Sequence, residues 1–267
     1  MTLFDFDASG FAPLPKLRGL FVTGTDTEVG KTLVAGAIAR SLSKAGRNVE
    51  VFKPAASGCR KGREGLISDD AEFLAACAES RRPIAQITPQ RFAHALAPNV
   101  AAEREGRTVD LEAIFSAYRS LEGACDTVIV EGVGGLLCPI REDFWVIHLA
   151  KLTGLPLVVV ARPKLGTINH TLLTLHAARS MGIEVAGVII NRYPVEPERE
   201  KDRRKVPISD DDYAIQTNPR QIAMRGRTKI LALVPDEPTN SVEKIRIGKD
   251  TQYVIDQVDW ESVMDDV

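Results

Sequence analysis

The chain has 267 residues, 44% of them hydrophobic, which is enough for one α/β domain with a sizeable core. Its 34 Lys and Arg against 36 Asp and Glu leave a formal charge of −2, which argues against the global basic field of a nucleic-acid-binding protein. The four cysteines lack C-x-x-C spacing, and the sequence shows no signal-peptide pattern or long apolar run, so a reducing, cytoplasmic setting without a membrane partner is expected.

Residues 1–18 carry aromatics, Gly and Pro without a clear period and read as an appendage. The apolar strand Leu20-Phe21-Val22 then runs into Thr23-Gly24-Thr25-Asp26-Thr27-Glu28-Val29-Gly30-Lys31-Thr32 and an apolar-periodic helix with Leu33, Val34, Ala37, Ile38 and Leu42 on one face. A strand feeding backbone N–H groups into a helix N-terminus is an anion cradle, so this segment reads as a nucleotide-phosphate loop. Lys31 would reach the terminal phosphates, Thr32 would offer a hydroxyl to Mg²⁺, and Gly30 would allow close backbone approach. Five residues separate Gly24 from Gly30, one more than in the common G-x-x-x-x-G-K-[ST] form.

A second strand, Val49 to Phe52, ends in Lys53-Pro54-Ala55-Ala56-Ser57-Gly58, which puts an ammonium where ligands bind in doubly wound sheets. That ammonium could neutralise charge on a transferring phosphoryl group, or be an ordinary exposed lysine. Asp69-Asp70-Ala71 opens a helical stretch, where a carboxylate is equally explained as a cap. Asp110 caps a helix with Leu111, Ile114, Phe115 and Tyr118 on one face, and the strand Thr127 to Val130 delivers Glu131 at its tip before Gly132-Val133-Gly134-Gly135. Glu131 is placed to serve Mg²⁺, with a turn carboxylate as the alternative.

Leu155 to Val160, Val185 to Ile190 and Lys229 to Leu233 are apolar runs typical of buried parallel strands. Lys164-Leu165-Gly166-Thr167-Ile168-Asn169-His170 opens a helix whose N–H groups could hold a second anion such as a substrate carboxylate. Asn191 could read an adenine edge or form a turn. A charged segment around 194–216 reads as a solvated insertion within a domain spanning 19–240, and the tail 241–267 offers Val254, Ile255, Val258 and Trp260 for docking. The four scattered histidines lack ligand spacing and receive no metal role. Alternating strands and helices predict an α/β fold, a doubly wound, mostly parallel sheet of the P-loop nucleoside triphosphate hydrolase type.

Taken together, the phosphate loop, Lys53-Pro54 with Ser57-Gly58, Val130-Glu131-Gly132-Val133-Gly134-Gly135, Lys164 to His170 and Thr217-Asn218-Pro219-Arg220 resemble the dethiobiotin synthetase family over about residues 19–237. The five-residue loop spacing is the spacing that family uses. The resemblance implies ATP and Mg²⁺ as cofactors, bound through Glu28, Val29, Gly30, Lys31, Thr32, Leu33, Asp70, Glu131, Gly132, Val133, Gly134, Asn191 and Pro235. Within this set Thr32, Asp70 and Glu131 would hold the metal. Lys53 and Lys31 would be catalytic. Ser57 would contact the diamine 7,8-diaminopelargonate, and Gly166, Thr167 and Asn169 would hold its carboxylate across a homodimer interface. Where the family often has Asp after the adenine-facing Asn, this chain has Arg192.

The implied reaction is ATP-dependent closure of a urea ring from the diamine and CO2, through a carbamate and a carbamic-phosphoric anhydride. A ligase of the cobyrinate diamide synthase type shares the loop style but usually carries a glutamine-hydrolysing domain, for which the chain has no room after the core. A partition-type regulatory ATPase would carry a second lysine early in the loop, where this chain has Asp26. An inactive relative serving as a binding module is a third alternative, and nothing in the retained lysines and carboxylates favours it.

Overall fold

The computed structural model describes residues 6–63, 65–194 and 209–265. Its centre is a six-stranded sheet formed by β1 (Gly19–Gly24), β2 (Val49–Phe52), β3 (Thr127–Gly135), β4 (Leu157–Ala161), β5 (Val185–Tyr193) and β6 (Ile230–Pro235). The spatial order is β6-β5-β4-β1-β3-β2, and every neighbouring pair is parallel. Because β1 lies between β3 and β4, the connections leave it in opposite directions. That reversal opens a crevice beyond its carboxyl end, where such sheets bind ligands.

The principal helices are α1 (Lys31–Lys44), α2 (Asp69–Ala78), α3 (Leu111–Arg119), α4 (Val146–Thr153), α5 (Thr167–Ser180), α6 (Asp210–Gly226), α7 (Lys249–Asp256) and α8 (Trp260–Asp265). They divide between the sheet faces because strand side chains alternate. Phe21, Phe52, Val128, Val130, Val159 and Ile190 pack with residues of α3, α4 and α5 on one face. Leu20, Val22, Val51, Ile129, Val160 and Ile189 pack with α1 and α2 on the other. Asp110 caps α3 as its sequence position implies, accepting from the Ala113 N–H at 3.0 Å.

Both ends of the chain add to these layers. Phe6, Phe11, Leu14 and Leu17 lie on the first core, Phe6 meeting Phe144 edge-on at 4.6 Å and Phe11 meeting Phe115 at 4.8 Å. Residues 249–265 form α7 and α8, which extend the α1 side. Ile255 is fully buried, Gln252 donates to the Ala37 carbonyl at 3.1 Å, and Trp260 donates its indole N–H to Ile255 at 2.9 Å. Of the tail residues expected to dock, Ile255 and Trp260 are core while Val254 and Val258 pack at its edge.

Most of the charged segment, residues 195–208, lies outside the described residues. From Asp210 the chain is helical, so the stretch to Gln216 is the first part of α6, with Ser209 as its cap. Among the described residues no helix is long and apolar enough to cross a membrane, and all four cysteines are free thiols.

Candidate active site

The phosphate loop leaves β1 at Gly24 and enters α1 at Lys31, with Thr25 N–H anchored to the Val160 carbonyl at 2.9 Å. Gly30 has φ +90°, and a Cβ there would stand 2.0 Å from Asn191 Nδ2, so glycine is required twice over. Glu28 also adopts a left-handed φ of 58° without being glycine, a strain of the kind found where a loop is shaped for a ligand. Lys31 Nζ, largely buried, donates to the Asp26 carbonyl at 3.0 Å, which curls the loop around the ammonium. Burial pushes Lys31 below its usual pKa, with Glu131 opposing that shift. An arriving phosphate would favour its charged form.

Beside the loop, two strands and two helices bring together a compact charged group. Lys53, at the end of β2, donates to Glu131 Oε1 at 2.7 Å and pairs with Asp70 Oδ2 at 3.0 Å. Thr32 Oγ1 donates to the same Glu131 Oε1 at 2.9 Å. Lys53 is 4% exposed and Glu131 1%, which removes the ordinary surface lysine and the simple turn carboxylate as explanations. Burial works against the Lys53 charge, but Asp70 and Glu131 more than offset it and hold the ammonium above its usual pKa. Lys53 therefore stays charged throughout the neutral range. The ammonium in turn holds Asp70 below the ordinary carboxylate value, whereas burial pushes Glu131 up against the pull of Lys53.

The cap ambiguity at α2 is also resolved. Ser68 accepts the Ala71 N–H at 3.2 Å and is the cap, Asp69 pairs outward with Arg60, and Asp70 turns inward to Lys53. Glu131 Oε2 is buried with no hydrogen-bond partner, a vacant acceptor of the kind a cation satisfies. Thr32, Asp70 and Glu131 offer only oxygen donors, and among the described residues no cluster of three or more His, Cys, Asp or Glu forms a complete metal cage. Such a set suits Mg²⁺, which is held by one or two carboxylates together with substrate phosphates and water.

A cleft of about 1060 Å³ joins Glu28, Gly30, Lys31, Thr32, Leu33, Lys53, Ser57, Asp70, Glu131, Val133, Gly134 and Asn191. Three other expected nucleotide contacts do not line it. Val29 lies behind the loop, where its carbonyl accepts from Asn191 Nδ2 at 2.9 Å. Gly132 serves packing, since a Cβ there would meet Val146 at 3.0 Å and Phe21 at 3.1 Å. Pro235 ends β6, and it is Asp236, Glu237 and Pro238 after it that form the wall. Asn191 keeps Oδ1 buried and unpartnered, an acceptor suited to an amino group. Its neighbour Arg192 reaches the cleft from a left-handed φ of 55°.

Gly166, Thr167 and Asn169 also stand apart from this cleft. They form the N-terminus of α5, with Gly166 at φ +91° and Thr167 Oγ1 fully buried and unpartnered. Sequence reasoning missed the lining residues Ala95, Leu96, Ala97, Cys138 and Asn240 to Glu243.

The chain is similar to several known proteins. The family described as "AAA domain" matches residues 18–244. The ATP-dependent dethiobiotin synthetase BioD of Bacillus subtilis (strain 168) is 38% identical over 219 residues, covering 82% of this chain and 87% of that protein. The protein of the same name from Anaeromyxobacter dehalogenans (strain 2CP-C) is 42% identical over 222 residues, covering 83% and 92%. Among solved structures, the MinC:MinD cell division protein complex of Aquifex aeolicus aligns with a TM-score of 0.53 at 17% identity, covering 90% of this chain and 93% of the other.

Proposed function

The chain belongs to the family of ATP-dependent dethiobiotin synthetases, and from that premise we propose that it closes the ureido ring of dethiobiotin from 7,8-diaminopelargonate, CO2 and ATP. The observation that carries the reading is the buried Lys53 ammonium, held between Glu131 and Asp70 and sharing one cleft with Lys31.

The reaction proceeds in three steps. One amine of the diamine adds to CO2 and loses a proton, giving a carbamate. A carbamate oxygen attacks the γ-phosphorus of ATP, and ADP leaves as the carbamic-phosphoric anhydride forms. The second amine attacks the anhydride carbonyl, phosphate departs, and loss of a proton leaves the cyclic urea. No protein nucleophile is needed, because phosphoryl transfer depends on positioning and on neutralising charge around the γ-phosphate.

Lys31 and the loop N–H groups hold the phosphates, and Lys53 faces the charge that develops as the carbamate attacks. Glu28 and Ser57 sit on the cleft wall where the diamine would lie, and Asn191 Oδ1 would accept from the adenine amino group. Thr32, Asp70 and Glu131 would hold Mg²⁺, which when bound neutralises phosphate charge. The turn at Gly166, Thr167 and Asn169 would hold the substrate carboxylate for a second copy of the chain. Leu165 on that turn and Leu173 farther along α5, 78% and 59% exposed, supply apolar surface for a homodimer.

The carbamate route makes a specific isotopic demand. With freshly added ¹⁸O-bicarbonate in a prompt single turnover, the released phosphate should carry one ¹⁸O from the carbamate oxygen that attacked phosphorus. Unlabelled phosphate, with product still forming, would contradict carbamate attack.

A further inference from the structure

The motif Thr217-Asn218-Pro219-Arg220 lies inside α6, remote in sequence from every group described above, and the cleft does not include it. Its asparagine is nevertheless 4% exposed, and its Nδ2 donates at 2.8 Å to the carbonyl of Pro163, buried and 55 residues away. Pro163 follows the end of β4 at Ala161, so sheet pairing no longer provides for its carbonyl. It stands immediately before the turn Lys164-Leu165-Gly166-Thr167 that starts α5.

Pro219 adds a second tie. Lacking an N–H, it leaves the Ile215 carbonyl without its helical partner, and Tyr193 Oη donates to that carbonyl at 3.4 Å. One turn of α6 thus holds both the approach to the α5 N-terminus and the end of β5, two residues beyond Asn191. A proline in a helix interior is unfavourable, and here it frees an acceptor that is used. On the far side, Arg162 contacts His170 Nδ1 at 3.2 Å and stands 3.8 Å from Asp26 of the phosphate loop.

We propose that Asn218 is a positioning residue, which fixes the Pro163–Thr167 turn in the geometry that receives the substrate carboxylate. The proposal rests on the reading of that turn given above. Without the amide, the Pro163 carbonyl is a buried acceptor with no donor, and it regains one only if the turn shifts toward water. Such a shift changes diamine binding, whereas the residues that line the phosphate cleft come from other segments of the chain.

The test measures kcat, the KM for diamine, the KM for ATP and the thermal midpoint of the full chain. Asn218→Leu should raise the diamine KM about tenfold, the size expected for an orphaned buried acceptor, with the ATP KM and kcat nearly unchanged. Asn218→Gln, which retains a donor, should recover most of the loss. If the leucine variant does not accumulate, Asn218→Ser, which shortens the reach, gives the same comparison. A joint change in both KM values and kcat with a lowered midpoint would show a structural role only and overturn the proposal. Thr167→Val separates the two levels of inference. An unchanged diamine KM in that variant overturns the carboxylate reading itself, whereas a raised one beside a normal Asn218→Leu enzyme overturns the role of Asn218 alone.

Discussion

Lys53→Ala is expected to lower ring closure by about 10³-fold while nucleotide affinity stays within a few-fold, the scale seen when one preorganised electrostatic donor is removed from a water-poor site. The argument starts from burial. An ammonium 4% exposed, held by two carboxylates at 2.7 and 3.0 Å, cannot rotate away to be replaced by water, so the field it supplies is fixed before the substrate arrives. The nucleotide keeps Lys31 and the loop N–H groups, which come from a different strand and helix. Folding should survive the substitution, although breaking a buried ion pair commonly costs about 3–5 kcal/mol. Glu131 already has its pKa raised by burial and can take a proton to relieve the lost partner. Single-turnover product formation and nucleotide titration of one preparation check this result. Equal loss of both would make Lys53 a nucleotide-binding or structural residue.

Glu131→Gln should raise the Mg²⁺ requirement about 10²-fold, the upper range for damage to the shell of a metal site, and depress turnover with it. A single oxygen of Glu131 accepts from both Thr32 and Lys53 while the other is buried and unpartnered. Glutamine fills the same volume but withdraws the charge and one acceptor. The Lys53 ammonium then loses one of the two anions that hold it charged. A Mg²⁺ titration of activity, alongside Mn²⁺ binding to the nucleotide-loaded protein, measures both effects, and an unchanged metal requirement would exclude Glu131 as a ligand.

The pH dependence of stability follows from the same cluster. Lys53, with its folded pKa raised, contributes fully below the ordinary lysine value of 10.5 and loses that contribution only as pH rises through its higher folded value. Asp70, with its folded pKa lowered, contributes above the ordinary value of 3.8 and loses it as pH falls through the depressed one. The two windows overlap across neutrality.

Much of this site could be read from the sequence, because chemistry in a doubly wound sheet gathers where strands end. Lys53, Glu131 and Asn191 each follow an apolar run, and the Gly-Lys-Thr of the loop follows another. What could not be read was their mutual contact. Lys53 and Glu131 are 78 residues apart, and only the placing of β3 between β1 and β2 brings them together. The residue types alone left Asp70 open as a cap, the resemblance chose it as the functional carboxylate, and Asp70 faces Lys53 because Ser68 caps α2. Ala95 to Ala97 gave no chemical signal because they contribute apolar wall, and Asn240 to Glu243 lie in a segment without periodicity. The end of β6 did point to the wall, but to the residues after Pro235.

Fold alone leaves the chemistry open, since the MinD-type architecture is shared at 17% identity. The loop residue Asp26, paired loosely with Arg162 at 3.8 Å, occupies the place where a partition-type switch would carry its second lysine. A carboxylate there cannot do that lysine's work on phosphate.

The most direct test of the account is phosphate release from Mg-ATP by the purified protein with bicarbonate present, with and without 7,8-diaminopelargonate, with dethiobiotin followed by mass spectrometry. The account predicts turnover that depends on the diamine and yields one dethiobiotin per phosphate. Hydrolysis indifferent to the diamine, or none with the diamine present, would contradict it.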